Sequence, residues 1–215
     1  MIDYLTIKTA INKIKHKITK TEQIQTTLFK DMSIEVLKRK KIYELLKVDE
    51  PCHCEIVWEK KFGIRLNELT WSQIFSSSKE TKLQEFQWKV VHNIFPTNIL
   101  LNRMGLKQSE KCDFCGETEF IEHLFYDCQR LGQLWQKVEN MIRINSNIDI
   151  SLNKYNVILG IEQDEISKTL NKKEIAEVNE LLMIAKFCIS KSKVMETNLE
   201  ITFENELRIR NKKQG

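Results

Sequence analysis

Apolar residues recur at helical spacing along most of the chain. Ile7, Ile11, Ile14 and Ile18 step by four, three and four, with Lys8, Lys13, Lys15 and Lys17 largely on the other faces. This predicts a basic amphipathic helix. A second helix is expected after Ser33 as its N-cap, running through Leu37, Ile42, Leu45 and Leu46 and ending before Pro51. Trp58, Phe62, Ile64, Leu66, Leu69, Trp71, Ile74 and Phe75 read as core anchors. After Ser76-Ser77-Ser78, Leu83, Phe86, Val90 and Val91 form the inward face of a helix that Pro96 is expected to stop by removing a backbone donor. Thr97 then caps a short helix carrying Leu100, Leu101 and Met104, with Gly105 as its left-handed terminator.

Further along, Leu131, Leu134, Trp135, Val138, Met141 and Ile142 keep a helical period until Asn145 to Asn147 break it. Val157 to Gly160 reads as a loose apolar segment. Ile175, Val178, Leu182, Ala185 and Ile189 mark one face of a long helix, with Leu181, Ile184 and Cys188 beside it, and this broad stripe predicts burial on two sides. A last helix, with Leu199, Phe203 and Leu207 inward, ends in Arg208, Arg210, Lys212 and Lys213, cations that suit a helix C-terminus.

Six glycines and two prolines in 215 residues leave little punctuation, which agrees with long helices and disfavours an all-β sandwich. The expected fold class is mainly α. The expected organisation is a basic helical segment over residues 1–51, a central domain over 52–145 and a helical extension over 146–215. The net charge is +4, and residues 1–50 supply all of it, with eleven Lys or Arg against seven Asp or Glu. No apolar run approaches the roughly 20 residues that cross a bilayer, and the N-terminus lacks the apolar stretch of a secretory signal. The expectation is an intracellular protein with no membrane partner and no small-molecule substrate.

In a reducing compartment clustered cysteines read as metal ligands. Cys112, Cys115, His123 and Cys128 form a C-x2-C-x7-H-x4-C pattern, with Gly116 directly after the second thiol. Four soft or borderline donors suit tetrahedral zinc, and a full Cys3His set leaves no open position for catalysis, so one structural zinc ion is expected. Cys52-His53-Cys54 also suggests ligands, but neighbours in one short stretch do not close a tetrahedron. His92 or Cys188 would have to be brought in by the fold. Free thiols and a surface histidine are the simpler reading, with Cys188 a small core residue.

Several segments carry a family likeness: Trp71-Ser72-Gln73-Ile74-Phe75, Thr81 to Lys89, His92-Asn93-Ile94-Phe95-Pro96-Thr97-Asn98, and Glu122-His123-Leu124-Phe125-Tyr126-Asp127-Cys128. Together they resemble the zinc-binding domain that follows the polymerase in LINE-type, non-LTR retrotransposon reverse transcriptases. The resemblance is densest from Trp58 to Trp135. It implies the same four metal ligands, RNA or DNA as partner, association with the polymerase portion of a parent protein, and a place in the nucleus or a cytoplasmic ribonucleoprotein. A polymerase needs paired aspartates for its metal ions, and the chain has no Asp-Asp pair. A non-catalytic fragment of an RNA-directed DNA polymerase is therefore expected.

Between Cys112 and Cys128 there is no Lys or Arg, whereas Asp113, Glu117, Glu119, Glu122 and Asp127 are all acidic. Three thiolates on one zinc add a further negative charge, so the knuckle itself is expected to repel phosphate and to staple neighbouring helices instead. Candidate phosphate contacts fall on Lys79, Lys82, Lys89, Arg103, Lys107, Lys111, Arg130 and Lys137. The alternative is a zinc-stabilised interaction domain that docks on the polymerase without touching nucleic acid.

Overall fold

The computed structural model describes residues 52–63, 66, 68–161 and 170–214, all within one unit spanning residues 51–215. The two helices expected before Pro51 lie outside the described residues. Among the described residues eight α-helices follow one another: α1 His53–Phe62, α2 Glu68–Ser76, α3 Thr81–Val91, α4 Asn98–Arg103, α5 Gly132–Ser146, α6 Lys154–Leu159, α7 Lys172–Met195 and α8 Leu199–Gln214. Among the described residues there is no strand, only an isolated bridge between Lys111 and Thr118. The mainly α class is as expected. No helix of the described residues is long and apolar enough to cross a membrane.

The centre of the unit is α7, which packs on α2, α3, α5 and α8. Its buried residues include Ile175, Val178 and Leu182 but also Met183, Ile184, Cys188 and Ile189, so both sides of the 24-residue helix are covered, as its wide apolar stripe predicts. Asn171 opens α7 by accepting from the backbone N–H of Lys173 and Glu174 at 2.9 and 3.1 Å. From α8, Phe203 is fully buried against this core.

Several sequence-based expectations need correction. The helix over 81–91 ends well before Pro96: Asn93 takes a left-handed φ of 56°, a conformation asparagine tolerates, and this turns the chain. Phe75 is 59% exposed, so it does not join Trp58 and Ile74 in the core. The segment 157–160 is not loose, because it completes α6, where Tyr155 to Leu159 are all buried. Arg210 is held by Glu80 at 2.6 Å and by Glu206 at 3.0 Å, which ties α8 to the start of α3 in addition to placing a cation near a helix end. Cys52 and Cys54 are paired as a disulfide, so free thiols are not found there, while His53 between them is exposed as expected and His92 is half-buried beside Cys54.

A six-residue helix cannot support itself and depends on its surroundings. The C-terminal carbonyls of α6 have no intrahelical partners, and buried side chains supply them. Ile158 O accepts from Gln87 Nε2 at 2.9 Å and from Lys186 Nζ at 3.1 Å. Asn179 Oδ1 accepts from Ile161 N at 2.7 Å, and Gln73 Nε2 donates to Ile161 O at 2.9 Å. Gly160 between them has φ +99°, and a Cβ there would lie 3.0 Å from Asn179 Oδ1. Glycine is required at that position by both backbone and space.

Lys186 is 1% exposed, and burial pulls its ammonium down from 10.5 to about 7. Between those values the unfolded chain binds a proton that the folded chain does not, so folding stability should rise as pH climbs from about 7 toward 10.5. Below about 7 the burial penalty is present in full. Lys186→Met should flatten that rise when urea midpoints are compared across this range. An equal slope in both proteins would exclude Lys186 as the responsible group.

Candidate metal centre

The segment between α4 and α5 holds the four predicted ligands in two turns. In the first, Cys112 N donates to Glu117 O at 2.7 Å and Gly116 N to Cys112 O at 3.0 Å, with Gly116 at φ +80°. That tight turn aims Cys112 and Cys115 the same way. In the second, His123–Asp127 form a π-helical turn closed by Cys128 N donating to His123 O at 3.1 Å. A π turn bonds residues five apart, so it brings His123 and Cys128 together across their four-residue spacer.

The donor atoms of Cys112, Cys115, His123 and Cys128 all lie within 4.8 Å of one another. Cys112 Sγ and Cys128 Sγ are 3.9 Å apart, and Cys115 Sγ is 3.2 Å from His123 Nε2. Zinc–sulfur and zinc–nitrogen bonds of ~2.3 and ~2.0 Å at tetrahedral angles would separate sulfurs by ~3.8 Å and sulfur from nitrogen by ~3.5 Å. The donor set and its spacing fit zinc. Cys112, His123 and Cys128 are buried, and burial, with the neighbouring Cys112 adding to it, pushes the Cys128 thiol up to about 11. Thiolates in that setting need a cation. A bound zinc would supply the charge and a cross-link between the two turns, and the full set leaves it no position for a substrate.

Four of the five acidic residues in the knuckle meet a lysine. Lys107 reaches Asp113 at 2.7 Å, Lys154 reaches Asp127 at 2.8 Å, Lys61 pairs with Glu122 and Lys193 with Glu119. These lysines come from α1, the loop after α4, the start of α6 and the end of α7. Chain-wise counting of charge therefore overstates the repulsive field, because the cancelling cations arrive from elsewhere in the fold. Glu119 is the deepest of the set, with 0% exposure, and its Oε1 also accepts from Asn98 N at 2.8 Å. The Asn98 side chain in turn accepts from Lys193 at 2.8 Å and donates to Lys111 O at 2.6 Å. Sequence reasoning missed the roles of Lys193 and Asn98, since neither stands near the motif in a recognisable pattern.

The candidate phosphate contacts divide into three groups. Lys89 is paired with Glu85 at 2.6 Å, Lys107 with Asp113, and Lys137 with Glu204 at 2.5 Å. Lys82 sits 4.8 Å over the Phe187 ring, and Arg130 sits 3.7 Å over Phe114. Lys79, Arg103 and Lys111 are exposed and have no ion pair among the described residues. Phe114, between the first two thiols, is 56% exposed. The arginine missing from the knuckle by sequence thus reaches its aromatic tip from three residues after Asp127.

Residues 38–135 match the family described as zinc-binding in reverse transcriptase. This match includes all four donors of the cluster. No curated protein matches the chain.

Removing zinc with a chelator should unfold the knuckle and lower the helical circular dichroism, with recovery when zinc is returned. A chelated protein with unchanged melting would argue against a structural ion. Lys193→Met should destabilise the protein by about 3–5 kcal/mol, because it leaves a buried carboxylate unpaired. In the double variant with Glu119→Gln much of that loss should be recovered, and strict additivity of the two single effects would contradict their coupling.

Proposed function

We propose that this chain is a non-catalytic accessory module of a LINE-type, non-LTR retrotransposon reverse transcriptase, with one structural zinc ion at Cys112, Cys115, His123 and Cys128. The carrying observation is the closed set of four donors inside the segment that matches the zinc-binding family. The role of the ion is to hold helices together. In this reading the parent protein supplies the polymerase, and the working location is the nucleus or a cytoplasmic ribonucleoprotein.

The surface that engages RNA or DNA is made of Lys79, Lys82, Arg103, Lys111 and Arg130, joined by Lys89, Lys107 and Lys137. Exposed ion pairs contribute only about 0–1 kcal/mol, so the paired lysines can exchange a carboxylate for a phosphate at little cost. The exposed Phe114 with Arg130 over its ring adds an aromatic face on which a base can stack. A second reading, docking on the polymerase without nucleic acid, is favoured by Met104 and Leu106, which are 62% and 69% exposed just beyond α4.

Salt-dependent binding separates the two. Affinity for single-stranded RNA should fall with salt, each phosphate contact adding about 0.7 to the logarithmic slope. Charge reversal at Lys79, Arg103 and Lys111 together should lower that slope by about 2. Binding that ignores salt, or survives the triple reversal intact, would leave only the docking reading.

A further inference from the structure

The first turn of α1 and the end of α3 meet away from the knuckle. Cys52 is the N-cap of α1 and Cys54 lies in its first turn, only 2% exposed. His92 caps the C-terminus of α3, and its Nδ1 stands 3.7 Å from Cys54 Sγ. The donor atoms of Cys52, Cys54 and His92 lie within 4.8 Å of one another, although 38 residues separate Cys54 from His92. The sulfur–nitrogen distance is close to the ~3.5 Å expected for two ligands of one tetrahedral zinc.

The surroundings fix the imidazole. The His92 ring lies 5.0 Å from the Trp71 ring and 4.2 Å from the Trp88 ring. The Trp71 indole N–H donates to Glu55 Oε1 at 3.3 Å, while Glu55 Oε2 accepts from Cys52 N at 3.1 Å. One carboxylate thus ties the turn that carries both sulfurs to the ring that packs against the histidine. Thiolates at the start of a ten-residue helix also face its positive end.

We propose that Cys52, Cys54 and His92, with the disulfide reduced, form a second site for a soft divalent cation of the zinc class, distinct from the knuckle. Three protein donors leave a fourth position for water. A dithiol reductant opens the site by giving two electrons and two protons to the Cys52–Cys54 disulfide while its own sulfurs join. The cation then displaces both protons and bonds to the two thiolates and to the imidazole. A small-molecule disulfide reverses this by taking two electrons from the thiolate pair and two protons from solvent, which splits it into two thiols, re-forms the Cys52–Cys54 bond and releases the ion.

Zinc content of the full chain tests the proposal. The protein is reduced with a phosphine, loaded with zinc, freed of excess metal and analysed by native mass spectrometry beside its circular dichroism. The reduced protein should carry about two zinc ions, and the oxidised protein, Cys54→Ser and His92→Ala should each carry about one with helical content preserved. With the knuckle already filled by one zinc ion, cobalt added to the reduced protein should quench tryptophan fluorescence in the parent and leave it unchanged in His92→Ala. One zinc in the reduced parent, or two retained in both variants, overturns the second site. Loss of all zinc would instead strike the knuckle, so the two readings fail separately.

Discussion

Glu119 has no exposed surface, and its carboxylate is tolerated there because Lys193 and the Asn98 backbone N–H both reach it. An isolated buried charge would be strongly unfavourable, so this contact forms only when three parts of the chain are in register. They are the second half of the first knuckle turn, the N-terminus of α4 and the last turn of α7. Because α7 also packs on α2, α3, α5 and α8, its register propagates to most of the helices. The knuckle is thereby locked to the centre of the protein through one carboxylate.

The knuckle contributes Ile121, Leu124 and Phe125 to the common core but is too small to bury a core of its own. Phe125 packs edge-on against Phe86 and Phe95, and Trp135 Nε1 donates to Phe125 O at 3.1 Å, so the π turn is anchored from α3 and α5. Four converging donors fix its inside and four lysines fix its outside. The same acidic residues that look hostile to nucleic acid along the sequence are the sockets into which neighbouring elements plug. A staple needs both kinds of attachment, because a metal site alone would cross-link two turns without orienting them.

Much of this was legible in the residues. The donors Cys112, Cys115, His123 and Cys128 could be read because metal ligands obey spacing rules within a short stretch. The double-sided burial of α7 showed as a wide apolar stripe. What could not be read depends on contacts between distant segments. Lys186 stands among apolar residues with no nearby partner in the sequence, yet it serves the free carbonyls of α6, whose own helical state was hidden by its shortness. Asn93, rather than the proline beyond it, ended α3 because local side-chain tolerance of a left-handed φ acted first. The pairing of Arg130 with Phe114 is likewise a product of folding, since the arginine lies outside the ligand pattern.

The placement of α1 joins the two cysteine clusters into one argument. At ten residues it spans about 15 Å. Its first turn carries Cys52 and Cys54 toward His92 at the end of α3, and its last turn sends Lys61 to Glu122 beside the ligand His123. Trp58 between them is fully buried, stacks on Phe62 and donates to Val91 O at 2.6 Å. The helix is therefore pinned to the end of α3 by its middle and its start, and to the knuckle by its end. A cation or a disulfide at Cys52 and Cys54 changes the constraint on only the first of these attachments. The knuckle contact does not require either state, and this is why a change of redox state at the start of α1 can leave the stapled helices in place.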